Sequence, residues 1–543
     1  MKKYLGKSYS FEFPAVLKKD VVVVGGGPAG CVAALSARRN GADTLLIERD
    51  SYLGGMITGG LVTSVGGYRL SKDYVKTIPT SNWDTPLMIK GISLEVITRV
   101  QKEGGAIDQG HIGDPSLREN TDSEVFVHVL DQMMEESRVD VLFNTFAFDA
   151  VVEDDVLKGV TIVNKSGPQV ILANVVVDAS GDGDIAAAAG ASFEYGREKD
   201  GRCHGGSLLM EMGGIDIDRV IDYLKNRPNK TEEERKKFEE EASRILGGGG
   251  KEETTLTLEG HKGFFDMGGV KRSWEEIEQD RRKGIFLRLP GVTEEWLEFV
   301  KNGMVPPLLG AKGLVYPRSP RVGGGVIRQG KVRYDQAYSG MHEAFFNQTD
   351  GLEISKALIY MRKINRAYIK FLRQHIPGFE DAYIIRSCPM VGTRESRRIV
   401  CEYTLTEEDI ANGSRFPDVI SKSGRVILAH NIAGIWGEFI RIEPKKPFDY
   451  PYRCLVPKKI DNLLVAGRCI SSTWLAREMN EVGPMATGEA AGAAAALSSK
   501  LGVPPRKLDI KLLQKKLLDQ GVLLFLEEEK DKEKEVRAHS EIS

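Results

Sequence analysis

This 543-residue sequence lacks cysteine motifs: its six cysteines include no C-x-x-C pair and no zinc or iron–sulfur spacing. Scattered thiols of this kind predict a reducing compartment, no metal site, and buried side chains that behave as small hydrophobes. The first residues contain no apolar signal core, and no run reaches the roughly 18 apolar residues of a membrane-spanning helix. We therefore expect a cytoplasmic protein that does not associate with a membrane.

An excess of charge of one sign is also missing. The chain carries 75 Lys and Arg residues against 77 Asp and Glu residues, a formal net charge of −2. Nucleic-acid phosphates normally require a basic face, so this balance argues against a nucleic-acid partner. The length predicts two or more domains with ample core.

A nucleotide-binding pattern opens the chain. The apolar run Val21–Val24 predicts a strand buried on both faces, as in a parallel sheet. It is followed by GGGPAG, in which Gly25, Gly27 and Gly30 fit G-x-G-x-x-G. The first glycine allows a tight turn, the second lets a pyrophosphate approach the backbone, and the third lets a helix pack closely on the strand. The helix N-terminus would present free N–H groups to the phosphates.

The spacing of later segments narrows the choice of nucleotide. The second strand, DTLLIE, ends at Glu48, 18 residues beyond Gly30, close to the spacing of a carboxylate that binds ribose hydroxyls. A carboxylate there would repel the 2′-phosphate of NADP, which leaves FAD and NAD. Further strand-and-turn patterns follow at 175–184 and 462–471. This wide separation favours FAD, because an NAD dehydrogenase usually keeps its Rossmann unit contiguous.

Four segments together resemble the glutathione-reductase-type flavoproteins and, among them, the bacterial and archaeal FAD-dependent oxidoreductase family. They are VVVVGGGPAG with LLIERDSYLGGM, VVDASGDGD, GTRESRRIVCEYTLTEEDI, and PYRCLVPKKIDNLLVAGRCIS. The resemblance covers most of the chain, although the family more often has Thr at the position of Ser180. It implies an α/β fold with a Rossmann-like FAD-binding domain (parallel sheet and β-meander) and an inserted α+β substrate domain.

The resemblance also implies domain bounds and cofactor contacts. Residues 1–190 and 451–505 would form the discontinuous FAD-binding domain, 191–450 the substrate or cap domain, and 506–543 a charged helical tail. We expect noncovalent FAD, with the helix that opens at 483–486 directed at the flavin N1/O2 edge; whether Arg468 meets a phosphate or the ribitol is left open. The residues that would contact FAD are Gly25, Gly27, Pro28, Ala29, Gly30, Glu48, Arg49, Gly54, Gly55, Ala147, Ser180, Gly181, Asp182, Gly467, Arg468, Pro484, Met485 and Ala486.

Four residues are candidates for substrate chemistry. Arg394, in GTRESRR, could form a fork for a carboxylate or a developing enolate, but arginines beside glutamates are as often structural. His430 could act as a base or be a satisfied core histidine; relatives more often have Asp where this chain has Leu428. His204 lies in a glycine-rich loop that could reach the flavin, and connectivity places Arg477 near the flavin ring.

We therefore expect an FAD-dependent oxidoreductase that transfers hydride between a small organic substrate and flavin N5. The alternatives are a flavoprotein of the tRNA- or thiazole-modifying type and an electron-transfer flavin subunit. The electron donor or acceptor is unidentified, and a homo-oligomer is compatible with the sequence. Neither GGGG at 247–250 nor RVGGGVIRQG at 321–330 follows a buried strand, so no second dinucleotide motif is predicted and NADH and NADPH should reduce the flavin slowly or not at all.

Overall fold

The computed structural model describes most of the chain. The described residues are 2–4, 7–9, 12–66, 68, 86–106, 119–199, 201, 203–227, 233–234, 237, 273–284, 287, 289, 295–296, 298–299, 315–317, 325–339, 342–344, 346–424, 427–429, 440–442, 444–477 and 482–539. Within these ranges, no helix has the length and apolar character needed to cross a lipid bilayer.

The described residues form helices and strands that alternate along the chain. The helices are α1 (Pro28–Arg39), α2 (Ile92–Lys102), α3 (Ser123–Ser137), α4 (Asp184–Ala188), α5 (Ile217–Asn226), α6 (Trp274–Arg282), α7 (Gly351–His375), α8 (Glu407–Asn412), α9 (Val482–Leu501), α10 (Ile510–Asp519) and α11 (Lys530–Ala538). The strands are β1 (Lys2–Tyr4), β2 (Lys7–Tyr9), β3 (Ala15–Val24), β4 (Thr44–Ile47), β5 (Ser64–Val65), β6 (Glu119–Asn120), β7 (Asp140–Leu142), β8 (Phe146–Glu153), β9 (Val156–Asn164), β10 (Gly167–Asp178), β11 (Phe193–Tyr195), β12 (Met210–Gly213), β13 (Val315–Pro317), β14 (Val326–Arg328), β15 (Lys331–Arg333), β16 (Gln336–Ser339), β17 (His342–Ala344), β18 (Tyr383–Ser387), β19 (Arg397–Ile399), β20 (Val419–Ser423), β21 (Ile427–Ala429), β22 (Ile440–Ile442), β23 (Phe448–Pro451) and β24 (Leu463–Val465).

The largest sheet contains the strand that precedes the glycine-rich turn. Its order is β7-β4-β3-β10-β9-β8, and β24 pairs with the end of β10. The β7, β4, β3, β10 and β24 pairings are parallel, whereas β10, β9 and β8 form an antiparallel meander. The side chains of Val21–Val24 are buried, as expected for a central strand covered on both faces. The predicted α/β fold with a parallel sheet and a meander is confirmed; the predicted domain bounds stay a prediction.

Helices α1 and α9 cross at very short range. A Cβ atom built on Gly488 would lie 2.1 Å from the carbonyl oxygen of Ala29, and one on Gly492 would lie 2.1 Å from that of Ala33. Only glycine permits this approach, since a methyl group would overlap the neighbouring backbone. The crossing therefore fixes the N-terminus of α9 beside the N-terminus of α1, although the two helices are more than 400 residues apart in the sequence.

A second region is built on β12, which lies between β16 and β18 in an antiparallel sheet. Helices α5 and α7 contribute to its separate hydrophobic core, which includes the stacked and edge-on rings of Trp296, Phe299, Tyr368 and Phe371. Aromatic side chains of this size bury large areas and hold the region together.

A charged cluster joins the two regions. Glu211 on β12 is buried and forms ion pairs with Arg328 and Arg386, the latter at 2.9 Å. Arg386 also donates a 2.7 Å hydrogen bond to the hydroxyl of Ser123, the first residue of α3, and pairs with Glu124 at 3.1 Å. The second region is therefore oriented on the first by bonds to the start of α3.

Candidate functional site

The turn between β3 and α1 is shaped by glycines with two different roles. Gly25 has a φ of 99°, and a Cβ on Gly30 would lie 1.7 Å from the Gly25 carbonyl oxygen, so both positions require glycine for the backbone itself. At Gly27, in contrast, a Cβ would meet no heavy atom within 4 Å. Gly27 is also the N-cap of α1 and no side chain caps that helix. The first turn of α1 therefore faces open space with its N–H groups available for an anion.

Glu48, at the end of β4, is held against this turn. Its Oε2 accepts a 2.5 Å hydrogen bond from the Gly26 N–H, and its Oε1 accepts a 2.8 Å bond from the Asp50 N–H. Burial raises the pKa of Glu48, while those two N–H groups oppose the shift. The backbone of Thr145 bonds to the Glu48 carbonyl at 3.0 Å, which places the start of β8, with Ala147, next to this strand end.

The other glycine pair predicted to line the cofactor lies beside Gly27. Gly54 has a φ of 95° and its N–H donates to the Gly26 carbonyl at 2.8 Å. A Cβ on Gly55 would lie 2.9 Å from the Gly27 Cα. Arg49, in contrast, has a side chain that is 55% exposed and lies 4.0 Å from the carboxylate of Asp50. The structure thus brings the two glycine-rich turns together and leaves Arg49 at the surface.

The N-termini of α1 and α9 converge at Gly467. A Cβ on Gly467 would lie 2.9 Å from the Cβ of Ala29 in α1 and 3.8 Å from the Cβ of Pro484 in α9. The Gly467 N–H donates a 3.1 Å hydrogen bond to the hydroxyl of Thr487, which fixes this turn to α9. The following residues of α9, Met485 and Ala486, are buried. Two positive helix ends therefore meet at one place, an arrangement that favours bound negative charge.

The turn after β10 is stabilised by a buried carboxylate. Asp178 is fully buried and accepts hydrogen bonds from the Ser180 N–H at 3.0 Å, the Ser180 hydroxyl at 2.6 Å and the Ala186 N–H at 2.8 Å. Arg468 donates to the Gly181 carbonyl at 2.8 Å, to the Asp182 carboxylate at 2.5 Å and to the Thr393 carbonyl. Arg468 therefore ties three loops together through protein acceptors.

A group of buried side chains lies beyond these loops. Glu395 is fully buried, pairs with Arg398 and accepts a 3.0 Å hydrogen bond from the His204 N–H. The His204 ring is stacked on Trp474, with centroids 4.4 Å apart and planes 9° from parallel, and its Nε2 is 4.0 Å from the Glu395 carboxylate. Burial raises the pKa of Glu395, whereas the charges of Arg477 and Arg398 lower it.

The sequence candidates in this group have different surroundings. Arg394 is half-buried and donates a hydrogen bond to the Gly205 carbonyl, next to His204. Glu395, the residue after Arg394, pairs with Arg398. Sequence reasoning missed Trp474; its only sequence signal is an aromatic residue in the loop before α9. His430 lies outside the described residues.

Arg477 lines a small cavity, which we call the Arg477 cavity, with a volume of about 20 Å³. It lies at the meeting point of the two helix N-termini, since Gly467 and Pro484 also line it. Arg477 is only 6% exposed. The full lining consists of Leu405, Tyr450, Gly467, Arg468, Ile470, Ser472, Ala476, Arg477, Gly483, Pro484 and Thr487.

A family model described as FAD dependent oxidoreductase matches residues 20–517. The chain belongs to this family. FAD is therefore its cofactor.

Individual relatives are more distant. The chain is 28% identical over 164 residues to a digeranylgeranylglycerophospholipid reductase of Methanosarcina acetivorans, and 27% identical over 164 residues to one of Methanoculleus marisnigri. Each match spans 30% of this chain and 37% or 38% of the relative. Among solved structures, a geranylgeranyl bacteriochlorophyll reductase-like protein of Thermoplasma acidophilum aligns with 93% of this chain and 87% of its own, at 12% identity and a TM-score of 0.38.

The geometry of the described residues fits FAD. At Gly27 a side chain would fill the room that a pyrophosphate needs, and the convergent N-termini of α1 and α9 supply positive charge beside it. Glu48 lies at the end of the adjacent strand, where ribose hydroxyls bind in this type of fold. These residues would hold the cofactor, with the Arg477 cavity at the α9 end of the site.

Proposed function

We propose that the enzyme is of the glutathione-reductase type and transfers hydride between a small organic substrate and flavin N5. When bound, the flavin supplies a two-electron acceptor or donor at N5. The observation that carries the proposal is the Arg477 cavity. It adjoins the α9 N-terminus, and its wall combines two residues predicted to contact FAD, Gly467 and Pro484, with the buried side chain of Arg477, which a small substrate beside the flavin would meet.

The chain's own residues would bind and orient the substrate there and exclude water. Arg394 and His204 are joined through the Gly205 carbonyl, and the His204 ring is fixed by its stacking on Trp474. Groups held in place in this way stabilise developing charge better than water does, because they need not reorganise. We propose that Arg394, His204 and Arg477 face the substrate, with His430 as a further candidate for moving a proton.

The proposed partners are a small-molecule substrate and an electron donor or acceptor other than NADH or NADPH. A homo-oligomer is compatible with this proposal, and a nucleic-acid or membrane partner is not part of it. The balanced charge of the chain, 75 basic against 77 acidic residues, supports this choice.

Reduction of the bound flavin tests the proposed function. The purified protein should be yellow, and denaturation should release FAD rather than FMN. Anaerobic mixing with a panel of small hydroxy, amino and unsaturated acids, their amides and simple alcohols should bleach the flavin band with at least one organic donor, or one unsaturated member should reoxidise the chemically reduced protein. A protein that carries FAD and exchanges electrons only with another protein would contradict the proposal.

A further inference from the structure

Arg477 is a buried cation whose donors are incompletely used. Its Nε and Nη1 atoms are buried and have no hydrogen-bond partner among the described residues. The side chain is 6% exposed, so bulk water does not replace the missing acceptors. Buried polar groups are almost always bonded, and an unsatisfied one calls for a physical explanation.

Glu395 is the carboxylate whose charge acts on Arg477, and its hydrogen bonds come from other donors. It accepts from Arg398 and from the His204 N–H. No ion pair joins Arg477 to an acidic group in the part of the chain that the structure describes. Burial lowers the pKa of Arg477 to about 9; Glu395 opposes this shift, and the positive charges of Arg468 and Arg398 add to it. The group stays charged at neutral pH with other cations as neighbours.

The wall of the Arg477 cavity is largely apolar around this charge. Besides Arg477, its wall contains Leu405, Tyr450, Ile470 and Ala476, whose side chains are largely apolar. Removing a charge from water into such surroundings is unfavourable unless an opposite charge accompanies it. The N-terminus of α9 at the same wall favours the same sign of ligand.

We propose that Arg477 binds the carboxylate of the substrate, so that the enzyme acts on small organic acids. This inference rests on the function proposed above and adds the substrate class. A carboxylate fits better than a phosphate, because a dianion would require more donors than one free arginine and one helix end supply. The anionic edge of a reduced flavin is the other source of negative charge that could reach Arg477, and the experiment below separates the two.

The first test needs no variant. The FAD-loaded enzyme is titrated with sodium acetate at constant ionic strength, with acetamide as the neutral analogue, and the flavin absorption spectrum is recorded. We expect a saturable spectral change with acetate and none with acetamide over the same range. Equal effects of the two compounds, or no effect of either, would overturn the proposal.

The second test removes the charge. Arg477→Met should weaken acetate binding about 10- to 100-fold, the range for losing a hydrogen bond to a charged group, with unchanged FAD content. Arg333→Met is the matched control, because Arg333 is exposed and pairs with Asp335 at the surface; it should bind acetate like the wild type. Added guanidinium should partly restore binding to Arg477→Ala.

The flavin midpoint potential, measured with and without saturating acetate, distinguishes the sources. Acetate should lower it in the wild type and leave it unchanged in Arg477→Met if the substrate carboxylate is the ligand. A lowered potential with unchanged acetate binding, or loss of FAD from Arg477→Met, would assign Arg477 to the flavin and overturn the proposal. If acetate binds through Arg477 but no organic donor reduces the flavin, the anion site stands and the proposed function fails. If donors without a carboxylate reduce the flavin equally fast in the wild type and in Arg477→Met, the proposed function stands and the substrate class fails.

Discussion

Buried charged groups are hydrogen-bonded at the turn between β3 and α1, which we call the cofactor turn, but not at the Arg477 cavity. Around the turn, the carboxylates of Glu48 and Asp178 accept hydrogen bonds from backbone N–H groups, so the chain satisfies its own buried charges. In the cavity, buried nitrogens of Arg477 have no acceptor among the described residues. The comparison teaches that satisfied buried charges belong to the scaffold, whereas an unsatisfied one marks a place that the chain leaves for a ligand.

The largest effect should come from filling the open space at the turn. Gly27→Leu should abolish FAD binding, because the side chain would occupy the pyrophosphate position. Gly351→Leu is the matched control: Gly351 is also at a helix start and a Cβ there also meets no heavy atom within 4 Å. Absorbance of the flavin per protein and acid-released FAD measure the outcome. Full FAD content in Gly27→Leu would contradict the assignment.

Arg394→Lys tests the substrate side of the comparison. The charge is kept, but the planar two-point fork is lost, so turnover per bound flavin should fall on the order of 10²–10³-fold with the donor found by the screen. FAD content and thermal stability should remain those of the wild type. Lost stability or FAD with preserved turnover per flavin would instead make Arg394 a structural residue that holds the Gly205 loop.

Glu489, on α9, tests the other side of the comparison, the buried carboxylates that accept hydrogen bonds from the chain itself. It is buried and accepts hydrogen bonds from the Ile92 N–H at 3.1 and 3.0 Å and from Gln520 at 2.9 Å. Burial raises its pKa from 4.5 to about 7, against the effect of those donors. Between these two pH values the folded protein keeps a proton that the unfolded chain has lost, so the free energy of unfolding should fall as pH rises through this window.

The free energy of unfolding should fall by about 3 kcal/mol across this window, at 1.36 kcal/mol per pKa unit. Urea unfolding of the wild type and of Glu489→Gln from pH 4.5 to 7.5 measures it: the stability difference between the two should shift in favour of the variant as pH rises. Glu135→Gln, on the exposed face of α3, is the control and should show no such shift. A pH-independent difference for Glu489→Gln would show that this carboxyl does not titrate in the window.

The smallest expected effect concerns nicotinamide cofactors. The sequence contains no second dinucleotide motif in a strand-to-helix context, so NADH and NADPH should leave the flavin oxidised on the stopped-flow timescale. Reduction by either faster than a few per second would contradict this prediction and would require a nicotinamide site in the second region.

The cofactor side could be predicted because its signals are local. Val21–Val24, the turn to Gly30 and Glu48 are close in sequence, and each residue type has one dominant physical use there. The meander of β8, β9 and β10 could be predicted for the same reason. The Arg477 group was less accessible: Arg477, Trp474, Glu395 and His204 come from three separate segments, and no spacing rule indicates that Arg398 pairs with Glu395 while Arg477 is left without an acceptor.

The most direct test of the central claim is a crystal structure of the FAD-loaded enzyme grown with acetate. The account predicts FAD with its pyrophosphate at Gly27 and between the N-termini of α1 and α9, and a planar carboxylate within hydrogen-bond distance of the Arg477 guanidinium. A cofactor that lies elsewhere, or an Arg477 whose Nε and Nη1 bond only to protein groups in the loaded enzyme, would contradict it.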